Sequence, residues 1–149
     1  MKQTAPQKII GTFELVGFPE FNVEGAMAKI DTGAYTGALH CTNIAVQKTP
    51  EGKRLTFTPL GDPANKVVIS NFAIRYVRSS NGDNQKRYYI KTHVVVRGET
   101  YPIAITLADR SEMRWPVLVG RRFLRHNNFL VDVSKNATYL EQEKVQQEQ

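Results

Sequence analysis

The stretch Ala28-Lys29-Ile30-Asp31-Thr32-Gly33-Ala34 is the part of the sequence that decides the fold. An apolar strand that ends in Asp-Thr-Gly places a carboxylate at a tight turn. Glycine permits close backbone approach there, and backbone N–H groups can donate hydrogen bonds to the carboxylate. The threonine hydroxyl can bond to a neighbouring chain and hold the loop. On these three residues alone a structural turn explains the pattern better than a reactive carboxylate does, so the rest of the chain has to decide.

A second informative stretch runs from Trp115 to Leu124 and reads Trp-Pro-Val-Leu-Val-Gly-Arg-Arg-Phe-Leu. It predicts an apolar strand that ends at Gly120, followed by a short helix over Arg121 to His126. An Asp-Thr-Gly-Ala turn followed later by an apolar pair, Gly, Arg and a short helix resembles the retropepsin family of aspartic proteases. Such an enzyme needs two rigidly held carboxylates that face each other and share a proton around an attacking water.

The rest of the chain is typical of an all-β domain, because short β-branched and aromatic runs alternate with Gly, Pro, Asn and Asp. The clearest prediction is a hairpin over Lys86 to Ala108. A turn at Gly98-Glu99 would pair Val96 with Tyr101 and Val94 with Ile103. A second hairpin is predicted from Asn71 to Tyr89, with its tip at residues 79–84. Further predicted strands are Ile9 to Val16, Ala26 to Ile30, Leu39 to Val46, Arg54 to Thr58 and Lys66 to Ile69.

A closer resemblance covers nearly the whole chain. The sequence is similar to a bacterial retropepsin-like family often labelled as ATP-dependent zinc proteases. The matching segments are Ile9-Ile10-Gly11, residues 28–34, Ala38-Leu39-His40, residues 108–113 and Phe129-Leu130-Val131-Asp132. The resemblance implies an all-β, acid-protease closed barrel with one short helix near the C-terminus. We expect this domain to span residues 1–140 and the Gln/Glu-rich residues 141–149 to form a flexible tail.

The resemblance also implies the site residues. Asp31 would be catalytic, with Thr32, Gly33, Ala34 and Gly120 supporting its loop. The sequence contains one Asp-Thr-Gly and no other Asp followed by Ser or Thr and then Gly. The second carboxylate must therefore come from another subunit, and we expect a homodimer in which Asp31 lies opposite its own copy.

One departure from the retroviral pattern concerns Arg121. In retroviral enzymes the fourth residue after the catalytic Asp is usually acidic and pairs with the Arg that follows the downstream Gly, whereas here it is Tyr35. Arg121 would then stack or bond locally, which we favour, or face an acidic substrate. Bacterial relatives often occur beside ATP-grasp ligases that add glutamate, so the resemblance suggests cleavage of acidic or glutamylated polypeptide. The candidate substrate-binding residues are Tyr35, Arg75, Arg78, Arg87 and Arg121.

Charge supports an anionic partner. The chain has 149 residues and a net charge of +6. Residues 66–125 hold 12 Lys or Arg against 4 Asp or Glu, a net of +8, so the remainder carries −2. We expect acidic polypeptide ahead of nucleic acid, and no membrane partner, because no run approaches the roughly 18 apolar residues of a spanning helix. With no leader recognisable after Met1, we expect a cytoplasmic protein.

No metal or cofactor is expected. The sequence has no Gly-rich loop ending in Lys-Ser/Thr and no His-Glu-x-x-His. His40 and Cys41 are adjacent and would point to opposite faces of a strand, and Cys41 is interpreted as a small buried residue. Asp109-Arg110 and Glu112-Arg114 could form a substrate-binding loop, but we favour a solvated charged turn before the last core strand.

Two other functions stay open. The same barrel could be a non-catalytic module that binds nucleic acid or an acidic protein segment through its basic hairpins. The other open function is a zinc-dependent enzyme, as the family label says.

Overall fold

The computed structural model describes residues 8–78, 82–111 and 114–135, and within these ranges the side chains of residues 77 and 78 are not described. These residues form eleven strands and one α-helix, and a short 3-10 helix, Pro19–Phe21, follows the second strand. The strands are β1 Lys8–Ile10, β2 Phe13–Phe18, β3 Val23–Ile30, β4 Gly37–Thr49, β5 Gly52–Pro59, β6 Val67–Ile69, β7 Ala73–Arg78, β8 Asn84–Val96, β9 Glu99–Ala108, β10 Val117–Val119 and β11 Phe129–Val131. Helix α1, Arg121–His126, has the predicted bounds.

Six strands close into a barrel in the order β10-β3-β2-β8-β9-β4, because β10 also pairs with β4. Strands β5 and β6 continue the sheet beyond β4, and β7 pairs with β8. Strands β1 and β11 form a separate parallel pair. The predicted all-β closed barrel with one short helix is confirmed. No helix in the described part of the chain is long and apolar enough to cross a membrane.

The barrel interior follows the two-residue period of its strands. In β8 the side chains of Ile90, Thr92, Val94 and Val96 are buried, while the alternate residues between them face outward, as the sequence predicts. Large fully buried side chains from the neighbouring strands complete this core, among them Phe18, Leu39, Phe57 and Ile105.

The turn of the β8–β9 hairpin differs from the prediction. Val96 pairs with Glu99 and Val94 with Tyr101, so the two-residue turn is Arg97-Gly98 and not Gly98-Glu99. Arg97 and Gly98 both have positive φ, 51° and 80°, which defines the turn class that matches the twist of the strands. Compared with the predicted register, each pairing partner on β9 is shifted by an even number of residues, so the apolar faces of the two strands still coincide.

Strand β1 is separate from β2, whereas a single strand was predicted from Ile9 to Val16. The strand is interrupted at Gly11, whose N–H donates to Glu14 Oε1 over 3.2 Å. Glu14 is buried and accepts a 2.8 Å hydrogen bond from Arg97 Nη2. A buried carboxylate needs such partners, and the bend at Gly11 supplies one of them.

The second predicted hairpin is present as β7 and β8, with Ala73 paired to Tyr89 and Arg78 to Asn84. Residues 79–81 of its predicted tip and the predicted tail at 141–149 lie outside the described residues.

Candidate active site

Asp31 lies where β3 ends, at the start of the loop formed by residues 31–36, which leads into β4 and is called the Asp31 loop below. Strand β10 lies between β3 and β4, parallel to the first and antiparallel to the second. A third strand therefore occupies the gap beneath the Asp31 loop. This position explains why the apolar segment Val117–Val119 matters to a residue far away in sequence.

Backbone hydrogen bonds fix Asp31 on both sides. Its N–H donates to Val119 O over 2.8 Å, and its carbonyl accepts from Ala34 N over 3.2 Å. Its side-chain Oδ1 accepts from Gly33 N over 2.8 Å. A Cβ on Gly33 would lie 3.1 Å from Oδ1, so a side chain there would crowd the carboxylate. The carboxylate is therefore held in one orientation, as the tight-turn argument from the sequence requires.

The first residues of α1 hold the other end of the Asp31 loop. The N–H groups of Arg121 and Arg122 donate to the carbonyls of Ala34 and Tyr35 over 2.7 and 3.1 Å. Gly120 lies directly against these carbonyls, and a Cβ there would be 2.6 Å from Tyr35 O. Real Cβ atoms do not approach so closely, so close packing requires glycine at this position.

Arg121 acts locally. Its guanidinium carbon lies 5.4 Å from the centre of the Tyr35 ring, and its Nη1 donates to Gly33 O over 3.1 Å. The ring takes the place of the missing carboxylate through a cation–π contact. Arg121 and Tyr35 therefore brace the Asp31 loop, whereas the sequence analysis also considered both as substrate-binding residues.

Thr32 and Gly33 are exposed in the single chain, while Asp31 and Ala34 are partly buried. Thr32, the residue that follows Asp31, therefore lies on the surface of the single chain.

The β7–β8 hairpin presents arginines on one face. Arg75 lies directly opposite Arg87 in the register of the two strands. Arg75 also lies 5.3 Å from the centre of the Tyr89 ring, and Arg122 of α1 donates to the Tyr89 hydroxyl. Like charges directly opposite each other on a sheet destabilise it. Arg87 Nη2 donates to Gln85 Oε1 over 3.0 Å, so neither arginine of the pair has a carboxylate partner among the described residues. The side chain of Arg78, another predicted substrate-binding residue, lies outside the described part of the structure.

A basic cleft lies between the start of β8 and the end of β9. Its volume is about 510 Å³, and among its lining residues are Lys86, Arg87 and Arg110, with Asp109 as the only acidic residue in the lining described. Like the basic cleft, two other grooves in the described residues, beside α1 and between β2 and β3, contain no residue of the Asp31 loop.

Arg110, which the sequence analysis preferred to interpret as part of a solvated turn, is partly buried. Its Nε is buried and has no hydrogen-bond partner among the described residues. Burial and the neighbouring Arg87 lower the pKa of its guanidinium, while the Asp31 carboxylate acts in the opposite direction. Arg110 therefore lies within electrostatic range of both the candidate catalytic carboxylate and the basic hairpin. A buried donor without a partner costs about 1–3 kcal/mol, which an incoming acceptor would recover.

The loop after β9 positions Arg110 through its backbone. The N–H of Arg110 donates to His40 Nδ1 over 2.8 Å, so that nitrogen acts as a hydrogen-bond acceptor. The same nitrogen lies 3.8 Å from Asp109 Oδ1. Hydrogen bonds from the side chain and the backbone of Ser111 lower the pKa of Asp109. Sequence could not reveal these contacts, because His40 lies 70 positions from Arg110.

The described residues do not provide a ligand set for a metal ion. Among the described residues no group of three or more His, Cys, Asp or Glu could hold a metal ion. Cys41 is fully buried, and burial raises the pKa of its thiol to about 12. It is the small buried residue that the sequence predicts.

The six-stranded barrel, with β10 beneath the Asp31 loop, is a retropepsin-like fold. A family model described as RimB-like, retropepsin-like aspartic endopeptidase RimB, matches residues 9–142, and the chain belongs to this family.

Similar proteins include two probable alpha-L-glutamate ligases. The one from Shewanella pealeana is 30% identical over 133 residues, 86% of this chain and 29% of its own length. The one from Shewanella halifaxensis is 30% identical over 146 residues, 95% of this chain and 32% of its own length. The chain thus spans about a third of the length of these relatives. A solved structure of a Legionella pneumophila protein of unknown function is 23% identical, with a TM-score of 0.69, covering 87% of this chain and 95% of that one. This likeness supports the fold.

Proposed function

We propose that the protein is a homodimeric aspartic endopeptidase in which two Asp31 carboxylates, one from each subunit, activate a water molecule. The observation that carries the proposal is the Asp31 loop itself. Gly33 N donates to the Asp31 carboxylate, and Asp31 N donates to Val119 O. The first residues of α1 donate to the Ala34 and Tyr35 carbonyls of the same loop of a retropepsin-like barrel. Thr32, the residue after Asp31, is exposed, and we expect its hydroxyl to bond to the second subunit.

The chemistry follows from bringing two such carboxylates together. At about 3 Å apart they cannot both be ionised, so the pair holds one proton. The ionised Asp31 takes a proton from water while the water oxygen attacks the amide carbonyl carbon. The protonated Asp31 donates to the carbonyl oxygen. Collapse of the tetrahedral intermediate breaks the C–N bond, and the amine leaves after it accepts a proton.

We propose acidic or glutamylated polypeptide as the substrate class. The basic cleft, whose Arg110 lies within electrostatic range of Asp31, carries Lys86, Arg87 and Arg110. Guanidinium and ammonium groups bind carboxylates in preference to neutral side chains. The names of the Shewanella relatives, probable alpha-L-glutamate ligases, point to glutamate as well.

Substitution of the carboxylate tests the activity. Asp31→Asn should lower the rate of cleavage of a glutamate-rich peptide by about 10²–10⁴-fold or more, because amide nitrogen and oxygen cannot exchange the required protons. Cleavage is followed by mass spectrometry of the products. Asp132→Asn removes an exposed carboxylate outside the site and should leave the rate unchanged. Full activity of Asp31→Asn would refute the proposal.

A binding module that uses the same basic cleft is the second candidate. It predicts salt-dependent binding of an acidic peptide or nucleic acid, unchanged in Asp31→Asn, with no peptide cleaved by either protein.

A further inference from the structure

The arginines beside the Asp31 loop lack the anionic partners that their positions call for. Arg75 and Arg87 lie directly opposite each other on β7 and β8, where like charges destabilise the sheet. Arg87 also lowers the pKa of Arg110, so the two guanidinium groups repel each other. Both line the basic cleft. With Lys86, three positive charges line this cleft, where Asp109 is the one acidic side chain among the described lining residues.

That acidic side chain is already engaged. Asp109 Oδ1 accepts from Ser111 N over 3.0 Å and from the Ser111 hydroxyl, and Asp109 is largely exposed. Asp31 attracts Arg110, but its Oδ1 accepts from Gly33. Among the described residues neither carboxylate makes a hydrogen bond to Arg110 Nε.

The unpaired Nε–H donor of this arginine has a specific geometry. The Nε–H of an arginine and the adjacent Nη–H point the same way and bind the two oxygens of a carboxylate side by side. The hydrogen bond from Arg110 N to His40 Nδ1 fixes the point on the backbone from which the guanidinium extends.

Resting on the proposed function, we propose that Arg110 is a specificity-determining residue, binding with Arg87 the side-chain carboxylate of an acidic substrate residue next to the scissile bond. Arg87 and Arg110 line the same cleft, and Arg110 lies within electrostatic range of Asp31. A neutral glutamine side chain would leave the two guanidinium groups uncompensated. The site therefore selects Glu over Gln at one position, independently of the overall acidity of the peptide.

The test compares two peptides with two variants. The probes are a peptide of consecutive glutamates and a matched peptide in which the residue beside the cleaved bond is Gln. For the wild-type protein we expect kcat/KM to favour Glu by about 10–100-fold, the value for a hydrogen bond to a charged group. For Arg110→Gln we expect this ratio to fall to near one through loss of activity on the Glu peptide, with Arg110→Lys in between.

Arg125→Gln is the matched control, because Arg125 is exposed on α1 and does not line the basic cleft. It removes the same charge and should leave the Glu-to-Gln ratio intact. A merely structural role of Arg110 would reduce kcat/KM for both peptides equally and keep their ratio, which would overturn the proposal.

A binding measurement separates this inference from the proposed peptidase activity. In the Asp31→Asn background, fluorescence anisotropy gives the affinity for the two labelled peptides without cleavage. We expect tighter binding of the Glu peptide, and loss of that preference when Arg110→Gln is added. If the wild-type protein cleaves nothing but this preference is present, the proposed function fails and the carboxylate site stands. Equal affinities for both peptides would refute the carboxylate site. Should Arg110→Gln fail to fold by circular dichroism, Arg87→Gln, at the cleft surface, must reduce the preference in its place.

Discussion

At the scale of single residues, two glycines and one arginine determine the Asp31 loop. Gly33 leaves room for Oδ1, Gly120 lets α1 approach the loop, and Arg121 braces it through Gly33 O and the Tyr35 ring. The rigid carboxylate is therefore made by its neighbours as much as by Asp31 itself.

Gly120→Ala tests this packing. Its Cβ would lie 2.6 Å from Tyr35 O, so the loop or the helix must shift. Forced shifts of this kind lower the free energy of unfolding by about 1–3 kcal/mol. We expect a lower Tm in circular dichroism and a marked loss of peptide cleavage. Gly25→Ala is the comparison: φ of 67° strains it, but its Cβ has open space on β3. It should lose stability and keep the activity of its folded fraction; equal activity loss in both would argue against a special role for Gly120.

The sequence reveals the Asp31 loop because its determinants are local. The strand, the Asp-Thr-Gly turn, Gly120 and the span of α1 can all be read from short stretches. Arg110 cannot, because its burial and its link to His40 arise from residues that meet only in the folded barrel. A charged pair after a strand has the same local pattern whether it is solvated or lines a cleft.

At the scale of elements, the β8–β9 hairpin shows two requirements competing for one position. Arg97 adopts a positive φ in the turn, where Asn is much better tolerated. The same arginine is the ion-pair partner of buried Glu14. The turn favours Asn, and the buried carboxylate requires a cation. The predicted turn at Gly98-Glu99 is wrong because pattern and alternation allow both registers, and the pairing with Glu14 is not visible in the local sequence.

The variant Arg97→Asn tests which of these two requirements contributes more to the free energy of unfolding. A removed ion-pair partner leaves a buried charge uncompensated, and since Arg97 is half exposed we expect a net loss of about 1–3 kcal/mol in the free energy of unfolding despite the better turn. Urea denaturation measures it. Adding Glu14→Gln to Arg97→Asn should recover part of the loss. An Arg97→Asn protein as stable as the wild type would show that the ion pair contributes nothing.

At the scale of the whole molecule, the single Asp31 loop makes activity a property of the dimer. One chain provides one carboxylate, so the proposed reaction requires two copies. Specific activity should then fall on dilution below the dissociation constant of the dimer, in parallel with the change in mass seen by sedimentation.

Subunit mixing provides the sharper measurement. Excess Asp31→Asn protein should inhibit the wild type, because mixed dimers hold one working carboxylate. Asp132→Asn protein in the same excess should not inhibit. Activity that depends only on the amount of wild-type chain would favour a monomeric site.

The position of β10 late in the sequence also determines when the Asp31 loop can form during synthesis. The contacts that fix the Asp31 loop join residues 88 positions apart, such as Arg121 and Gly33. Such distant contacts carry a loop-closure penalty and form late in folding. A nascent chain that has not yet released β10 and α1 from the ribosome holds no finished Asp31 loop. The proposed peptidase activity would therefore begin only after synthesis of the barrel is complete.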